Sequence, residues 1–216
     1  LEKTAHSPII QEHLFKHRTF LCSSMANALL IFFVWAYLFL IPLYAQTSLQ
    51  ENLFETGLFM LFLTIPLTII SAFIGKLYPR LGAKRLILLG YSALIVSSIC
   101  GLQLSTDTPV WFLALPNILL GIGWAVIMAP AATAALSDLD PATTGTAAGT
   151  FNTLQEIGGV VGLTIIVTIV RLHSQFIQGL HGGFWALLCF LIIGLGFTLA
   201  LKKQDPLLQK AAGDIL

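Results

Sequence analysis

Residues 75–85 read Gly75-Lys76-Leu77-Tyr78-Pro79-Arg80-Leu81-Gly82-Ala83-Lys84-Arg85. Four basic side chains crowd this segment, and a long apolar run lies on each side of it, 54–76 before and 86–104 after. A bilayer crossing takes about 20 mostly apolar residues. A short, Lys/Arg-rich connection between two such runs is the mark of a cytoplasmic loop. The stretch therefore predicts two antiparallel crossings joined by a basic turn.

The rest of the chain extends the pattern. Further apolar runs cover 20–46, 110–136, 145–170 and 182–201, which makes six spans. Only 1–19 and 202–216 remain as polar ends, so the domain plan is one six-helix membrane unit flanked by two cytoplasmic segments. The fold class expected is all-α, polytopic and membrane-embedded. Composition agrees. Of 216 residues, 56% are hydrophobic and 10% charged, and the mean hydropathy is +0.88. A soluble domain carries about 25% charged residues. Eleven Lys/Arg against ten Asp/Glu create no field that would recruit nucleic acid.

Charge also sets the orientation. Lys3, Lys16, Arg18, Lys76, Arg80, Lys84, Arg85, Lys202, Lys203 and Lys210 fall on one side of six alternating spans, and Arg171 alone falls on the other. The positive-inside rule then puts both termini in the cytoplasm. Tyr44, Trp111 and Trp185 sit at outer ends, where amphipathic rings anchor, and Tyr78 sits near the inner boundary. Cys22, Cys100 and Cys189 are odd in number and far apart in apolar runs without CxxC spacing, which argues against a disulfide frame or zinc site and suits packing or lipid contact. The first residue is Leu, with no signal pattern after it, so the chain reads as cut from a longer protein.

The spans differ in polarity. The last, from Phe184 to Leu201, is almost wholly apolar. The fifth carries Asn152, Gln155 and Glu156. Gly145, Gly149, Asn152, Glu156 and Gly159 recur at helical spacing and share one face; Gly158 and Gly162 add a small-xxx-small seam. In the second span Gly57, Leu61, Thr64, Thr68, Ser71 and Gly75 form a similar stripe. In the fourth, Asn117, Gly121, Trp124, Met128 and Ala131 do so. The first span holds Asn27, Trp35 and Tyr37. Spans one, two, four and five are thus expected to face protein or water, and spans three and six to be peripheral. Pro42, Pro66, Pro116 and Pro130 invite kinks. A carboxylate near a span centre costs a few kcal/mol and is functional by default, which singles out Glu156.

With these motifs in hand, the chain resembles the major facilitator superfamily. Gly75 to Arg85 resembles that family's basic G-x-x-x-D-R-x-G-x-[RK]-R loop in its second-half copy, with Pro79 where the family has Asp. Leu120 through Pro130, Pro141, and Gly145 through Gly159 are similar to the last helices of fourteen-spanner drug:proton antiporters. So are Leu14 to Phe20 and Pro42-Leu43-Tyr44. Gln155-Glu156 stands where family members often have Arg-Gln, an acidic group in place of a basic one.

The resemblance implies one half of a two-half fold, itself a 3+3 inverted repeat. It implies the C-terminal half of a plasma (inner) membrane secondary transporter, proton-coupled and exporting amphipathic drug-like compounds. It needs no cofactor and no metal. Its partners are a small-molecule substrate, protons, the bilayer, and a missing N-terminal half or second subunit. Glu156 becomes the proton or cation site. Trp35, Thr64, Thr68, Asn117, Trp124, Asn152 and Gln155 line the substrate cavity, with cation–π attraction from the two tryptophans. Gly75, Lys76, Arg80, Gly82, Lys84 and Arg85 form a gate loop. The alternatives are transport of another small metabolite, or a structural or regulatory membrane subunit. An intramembrane hydrolase is disfavoured, because no G-x-S-x-G motif is present and the histidines have no nucleophile partner in sequence.

Overall fold

A computed structural model describes residues 14, 15, 17–137, 139, 140 and 143–201. The expectations for 1–13 and for the tail 202–216 lie outside the described residues. Helix α1 spans Arg18–Thr47, α2 Leu53–Gly101, α3 Ala114–Leu136, α4 Thr144–Arg171 and α5 Phe176–Ala200, with a short 3-10 turn Val110–Leu113 leading into α3. These five are each long and apolar enough to cross a membrane.

Helix α2 has 49 residues. Unbroken, it would be about 73 Å long, more than twice the hydrocarbon thickness of about 30 Å. It is broken at Gly82, whose φ of 73° and ψ of 160° leave the helical region. That conformation is essentially restricted to glycine. The basic segment read as a loop is therefore mostly helical: Lys76 to Leu81 continue the first limb, 53–81, and Ala83 to Arg85 open the second, 83–101. The helix-forming Lys, Leu, Arg and Ala residues explain the continuation.

Two hydrogen bonds show that the limbs fold back. Asn117 Nδ2 donates to the Phe59 carbonyl at 3.1 Å, and Ser97 Oγ donates to the Pro116 carbonyl at 2.9 Å. On a straight helix, residues 59 and 97 would lie about 57 Å apart, yet both meet adjacent residues of α3. Helices α1 and α4 run parallel, since Asn27 meets Gln155, Ala28 meets Gly158 and Phe32 meets Gly162. Alternating crossings give that parallelism only if α2 counts as two, so the bundle has six. Helix α5 runs antiparallel to the second limb. Lys84, Tyr91 and Gly101 climb that limb as their partners Leu199, Gly194 and Phe184 descend α5.

These pairings place Arg18, Lys76, Arg80, Lys84 and Arg85 at one end of the bundle. Arg171, His173, His181 and the Tyr44–Ser105 contact lie at the other. The charge asymmetry read along the chain is thus a property of the folded bundle among the described residues.

The core follows the length of α1. Leu30, Val34, Ala36, Tyr37, Leu40 and Ile41 are fully enclosed, and Phe32 packs on Phe190 of α5 with ring centroids 4.2 Å apart. Spans three and six, expected at the periphery, pack into this half. Gly101 admits the Phe184 ring and Gly194 admits Tyr91, whose hydroxyl donates to the Ala26 carbonyl. Tyr44, expected as an interfacial anchor, is fully buried, with its hydroxyl on the Ser105 carbonyl. Trp111 and Trp185 are exposed. Cys22 and Cys100 are buried, Cys189 is exposed, and all three are free thiols.

Gly82→Ala is expected to destabilise the bundle by about 1–3 kcal/mol, because an L side chain is strained at that φ/ψ. Gly75→Ala, where a methyl group meets nothing within 4 Å, serves as a control. Thermal unfolding of both variants in detergent checks the contrast: Gly82→Ala lowers the midpoint and Gly75→Ala does not.

Candidate functional site at the α1–α4 interface

Helix α4 meets α1 through its glycines. A Cβ at Gly158 would strike the Ala28 backbone, one at Gly162 the Phe32 backbone, and one at Gly159 would sit 2.7 Å from the Trp35 ring. The absence of side chains brings the two backbones together, and that approach aligns the polar groups beside the seam. Asn27 Nδ2 donates to Gln155 Oε1 at 2.9 Å, and Gln155 Nε2 donates to Glu156 Oε1 at 3.4 Å. Asn27 is fully buried, Gln155 half-buried and Glu156 exposed. Trp35 rests on Gly159, one turn beyond Glu156.

The predicted α4 stripe divides along its length. Gly145, Gly149, Asn152 and Glu156 are exposed, and the two glycines have open space where a side chain would stand. Gly159, at the end of the stripe, faces inward against Trp35. Thr153, Thr164 and Thr168 return their hydroxyls to carbonyls four residues back, so these threonines carry no unmet hydrogen bond. An open polar stripe with a carboxylate halfway along a 28-residue apolar helix needs water or further protein against it. Within α1, α3, α4 and α5, Glu156 is the one charged side chain away from the helix ends; Arg18 begins α1 and Arg171 ends α4.

The other sequence-predicted residues are distributed differently. Thr64 and Thr68 lie exposed on the first limb of α2, with hydroxyls bonded to the Met60, Leu61 and Thr64 carbonyls. Trp124 is half-buried and donates Nε1 to Met128 Sδ at 3.3 Å. Asn117 is fully buried, accepts from Tyr37 Oη at 2.9 Å and donates to the Phe59 carbonyl. Its end of the stripe is a packing face, because Gly121 lets the Leu63 backbone approach α3. So the structure gathers Trp35, Gln155 and Glu156 near one interface, with Asn152 exposed one turn earlier on α4. Asn117 lies in the interior, while Thr64, Thr68 and Trp124 lie on other helices.

In the expected gate loop, Gly75, Arg80 and Arg85 are exposed and Gly82 is the helix break. Lys84 has a role that sequence reading missed. Its Nζ donates to the Leu199 and Leu201 carbonyls at 2.6 and 2.8 Å. It thereby caps the C-terminus of α5, where orphan carbonyls and the helix dipole favour a cation. Asn27 is the second residue whose role was missed, since its partner stands 128 positions away. Among the described residues no group of three His, Cys, Asp or Glu gathers to hold a metal ion.

The family model of the Major Facilitator Superfamily matches residues 2–163. The chain belongs to the major facilitator superfamily. An uncharacterized MFS-type transporter, YvkA of Bacillus subtilis, is 27% identical over 204 residues, which cover 94% of this chain and 44% of that protein. The lincomycin resistance protein LmrB of Listeria monocytogenes is 26% identical over 167 residues, covering 77% and 36%. In architecture, the chain is similar to a solved bacterial homologue of the human drug peptide transporters PepT1 and PepT2. The TM-score is 0.73 at 20% identity, covering 88% of this chain and 44% of that one, a likeness that shows the fold. The chain spans about a third to under half the length of the curated relatives it matches.

Proposed function

We propose that this major-facilitator chain is the C-terminal six-helix half of a secondary transporter that exports amphipathic, drug-like compounds in exchange for protons. The observation that carries the reading is the exposed Glu156 carboxylate, halfway along α4 on an open polar stripe. Charge in such a position belongs beside a hydrated pathway. The similarity to a protein named for lincomycin resistance favours export of drug-like molecules over other cargo.

In this reading Glu156 loads and releases the proton, oriented by Gln155. Asn152, Thr64 and Thr68 present polar groups to the substrate, and Trp35 and Trp124 present flat apolar faces with affinity for cations. Asn117, with both amide groups engaged, supports the cavity wall without touching substrate. Lys76, Arg80 and Arg85 are the charges available to a gate, while Lys84 is committed to α5. The basic end of the bundle faces the cytoplasm. An N-terminal half supplies the opposite wall of a midplane site.

The test uses the native full-length protein in inverted membrane vesicles with an imposed proton gradient and a fluorescent lipophilic cation. The wild type accumulates the dye and stops when the gradient collapses. Glu156→Gln is expected to lose gradient-driven accumulation while still equilibrating dye down its own gradient. Unchanged accumulation with the same pH dependence would defeat the reading.

A further inference from the structure

Asn27 is enclosed in the core of α1, and only half of its amide is used. Its Nδ2 serves Gln155, while its Oδ1 has no partner; nor do the hydroxyls of Ser23 and Ser24, one turn earlier on the same helix and also buried. An unmet acceptor in a protein interior costs about 1–3 kcal/mol. A residue placed only for packing would be an apolar one here. We propose that Asn27 is a positioning residue for Glu156. By holding Gln155 it aims that side chain's N–H at the carboxylate, and both amides reverse when Glu156 takes up a proton. The inference rests on the reading of Glu156 as the proton site.

The chemistry sets the order of events. An ionised carboxylate only accepts hydrogen bonds, so Gln155 presents its NH2 to Glu156 and its oxygen to Asn27. This is the arrangement observed. Asn27 Oδ1 is then the leftover group. When Glu156 binds a proton from the aqueous pathway, the new O–H needs an acceptor. Rotation of the Gln155 amide supplies its oxygen and turns its NH2 toward Asn27, which rotates to accept. The leftover group becomes the Asn27 NH2, a donor, and the Ser23 and Ser24 hydroxyl oxygens are acceptors on that same helix. Proton arrival at an exposed carboxylate thereby changes the hydrogen bonding inside the α1–α4 seam.

Few other charges act on this chain of amides. The elements packed against α4 are α1, α3 and α5. Arg18 lies about 14 Å along α1 from Asn27. Helix α3 carries no Asp, Glu, Lys, Arg or His, and His181 of α5 bonds the Leu104 carbonyl at the opposite end of the bundle. Arg171 ends α4. Cys22, Tyr37, Tyr44 and Cys189 are the remaining titratable side chains on α1 and α5.

The experiment measures gradient-driven dye transport against pH in the native full-length protein. Variants Asn27→Asp, Gln155→Met and Glu156→Gln are compared, with folding followed by thermal unfolding. Gln155→Met removes both the charge-assisted bond to the ionised carboxylate and the weaker bond to the protonated one, so the transport midpoint is expected to move to higher pH. The half-buried site tolerates the similarly shaped Met. Asn27→Asp, which cannot donate when ionised, is expected to move the midpoint the same way. Lower amounts of folded protein with an unmoved midpoint in both variants would make Asn27 and Gln155 purely structural and overturn the inference. If Glu156→Gln keeps normal pH-dependent transport, the proton-site reading itself fails; if it abolishes pH dependence while the other two leave the midpoint alone, the positioning inference alone fails. Should Asn27→Asp not fold, Asn27→Leu, which also lacks the donor to Gln155, takes its place, and an unmoved midpoint there overturns the inference.

Discussion

Gly158→Leu is expected to prevent α1 and α4 from docking, with a loss of about 3 kcal/mol or more of stability. The size of the effect follows from what the new side chain meets. At Gly158 even a Cβ would run into the carbonyl and Cα of Ala28. Those are backbone atoms of a helix, and no rotamer change relieves the overlap. The helices must separate, and separation also pulls Gly162 from the Phe32 backbone, Gly159 from Trp35 and Gln155 from Asn27. Folded proteins hold a margin of about 5–15 kcal/mol, so a single such change removes a large part of it. Gly149→Ala, on the same helix but in open space, is expected to be neutral or to stabilise by up to about 1 kcal/mol, because alanine is the better helix former. Thermal unfolding and the yield of folded protein in detergent compare the two. Equal behaviour of the two variants would mean that the seam is not formed as described.

Asn117→Leu is expected to cost about 2 kcal/mol and to loosen three helices together. Interhelical hydrogen bonds in membranes average only about 0.6 kcal/mol, and this site exceeds that. The reason is enclosure. Tyr37 and Asn117 are both fully buried, and the Tyr37 hydroxyl has Asn117 Oδ1 as its acceptor at 2.9 Å. Leucine removes that acceptor and leaves the hydroxyl only the Ser97 side chain beside it, a loss of about 1–3 kcal/mol. The Phe59 carbonyl loses its extra donor as well, a smaller effect in a helix whose own ladder remains. A double-mutant cycle isolates the pair. In a Tyr37→Phe background, Asn117→Leu should cost about 1 kcal/mol less, since no hydroxyl is left to strand. Additive losses in the cycle would show that the bond contributes nothing.

Legibility followed the range of the interaction that decides each feature. Hydrophobic run length and the placement of Lys and Arg are local or summed properties, and they pointed to six crossings. Gly158 and Gly162 were readable as a seam because close approach needs small residues at helical spacing. Glu156 stood out because a charge has few reasons to occupy an apolar run. In the fourth-span stripe Asn117 and Gly121 misled, because they have the same spacing whether they face a cavity or a neighbouring helix. The basic segment 76–85 misled in another way. Its residues form helix on both sides of Gly82, and the reversal is confined to one glycine. Tyr44 looked like an anchor from its place at a helix end, until the chain between α2 and α3 supplied the Ser105 carbonyl.

Composition and periodicity alone determined that this chain is a bundle of bilayer-length helices with one basic end, a glycine seam and a single carboxylate inside its fifth crossing. Those features are written in the identity and spacing of residues along one helix at a time. The tertiary structure decided which helix each stripe meets, that Asn27 holds Gln155 beside Glu156, that Lys84 caps α5, and that Asn117 is an interior clasp. Each is a contact between residues far apart in sequence, set by helix pairing and rotation, and a one-dimensional pattern carries no record of either.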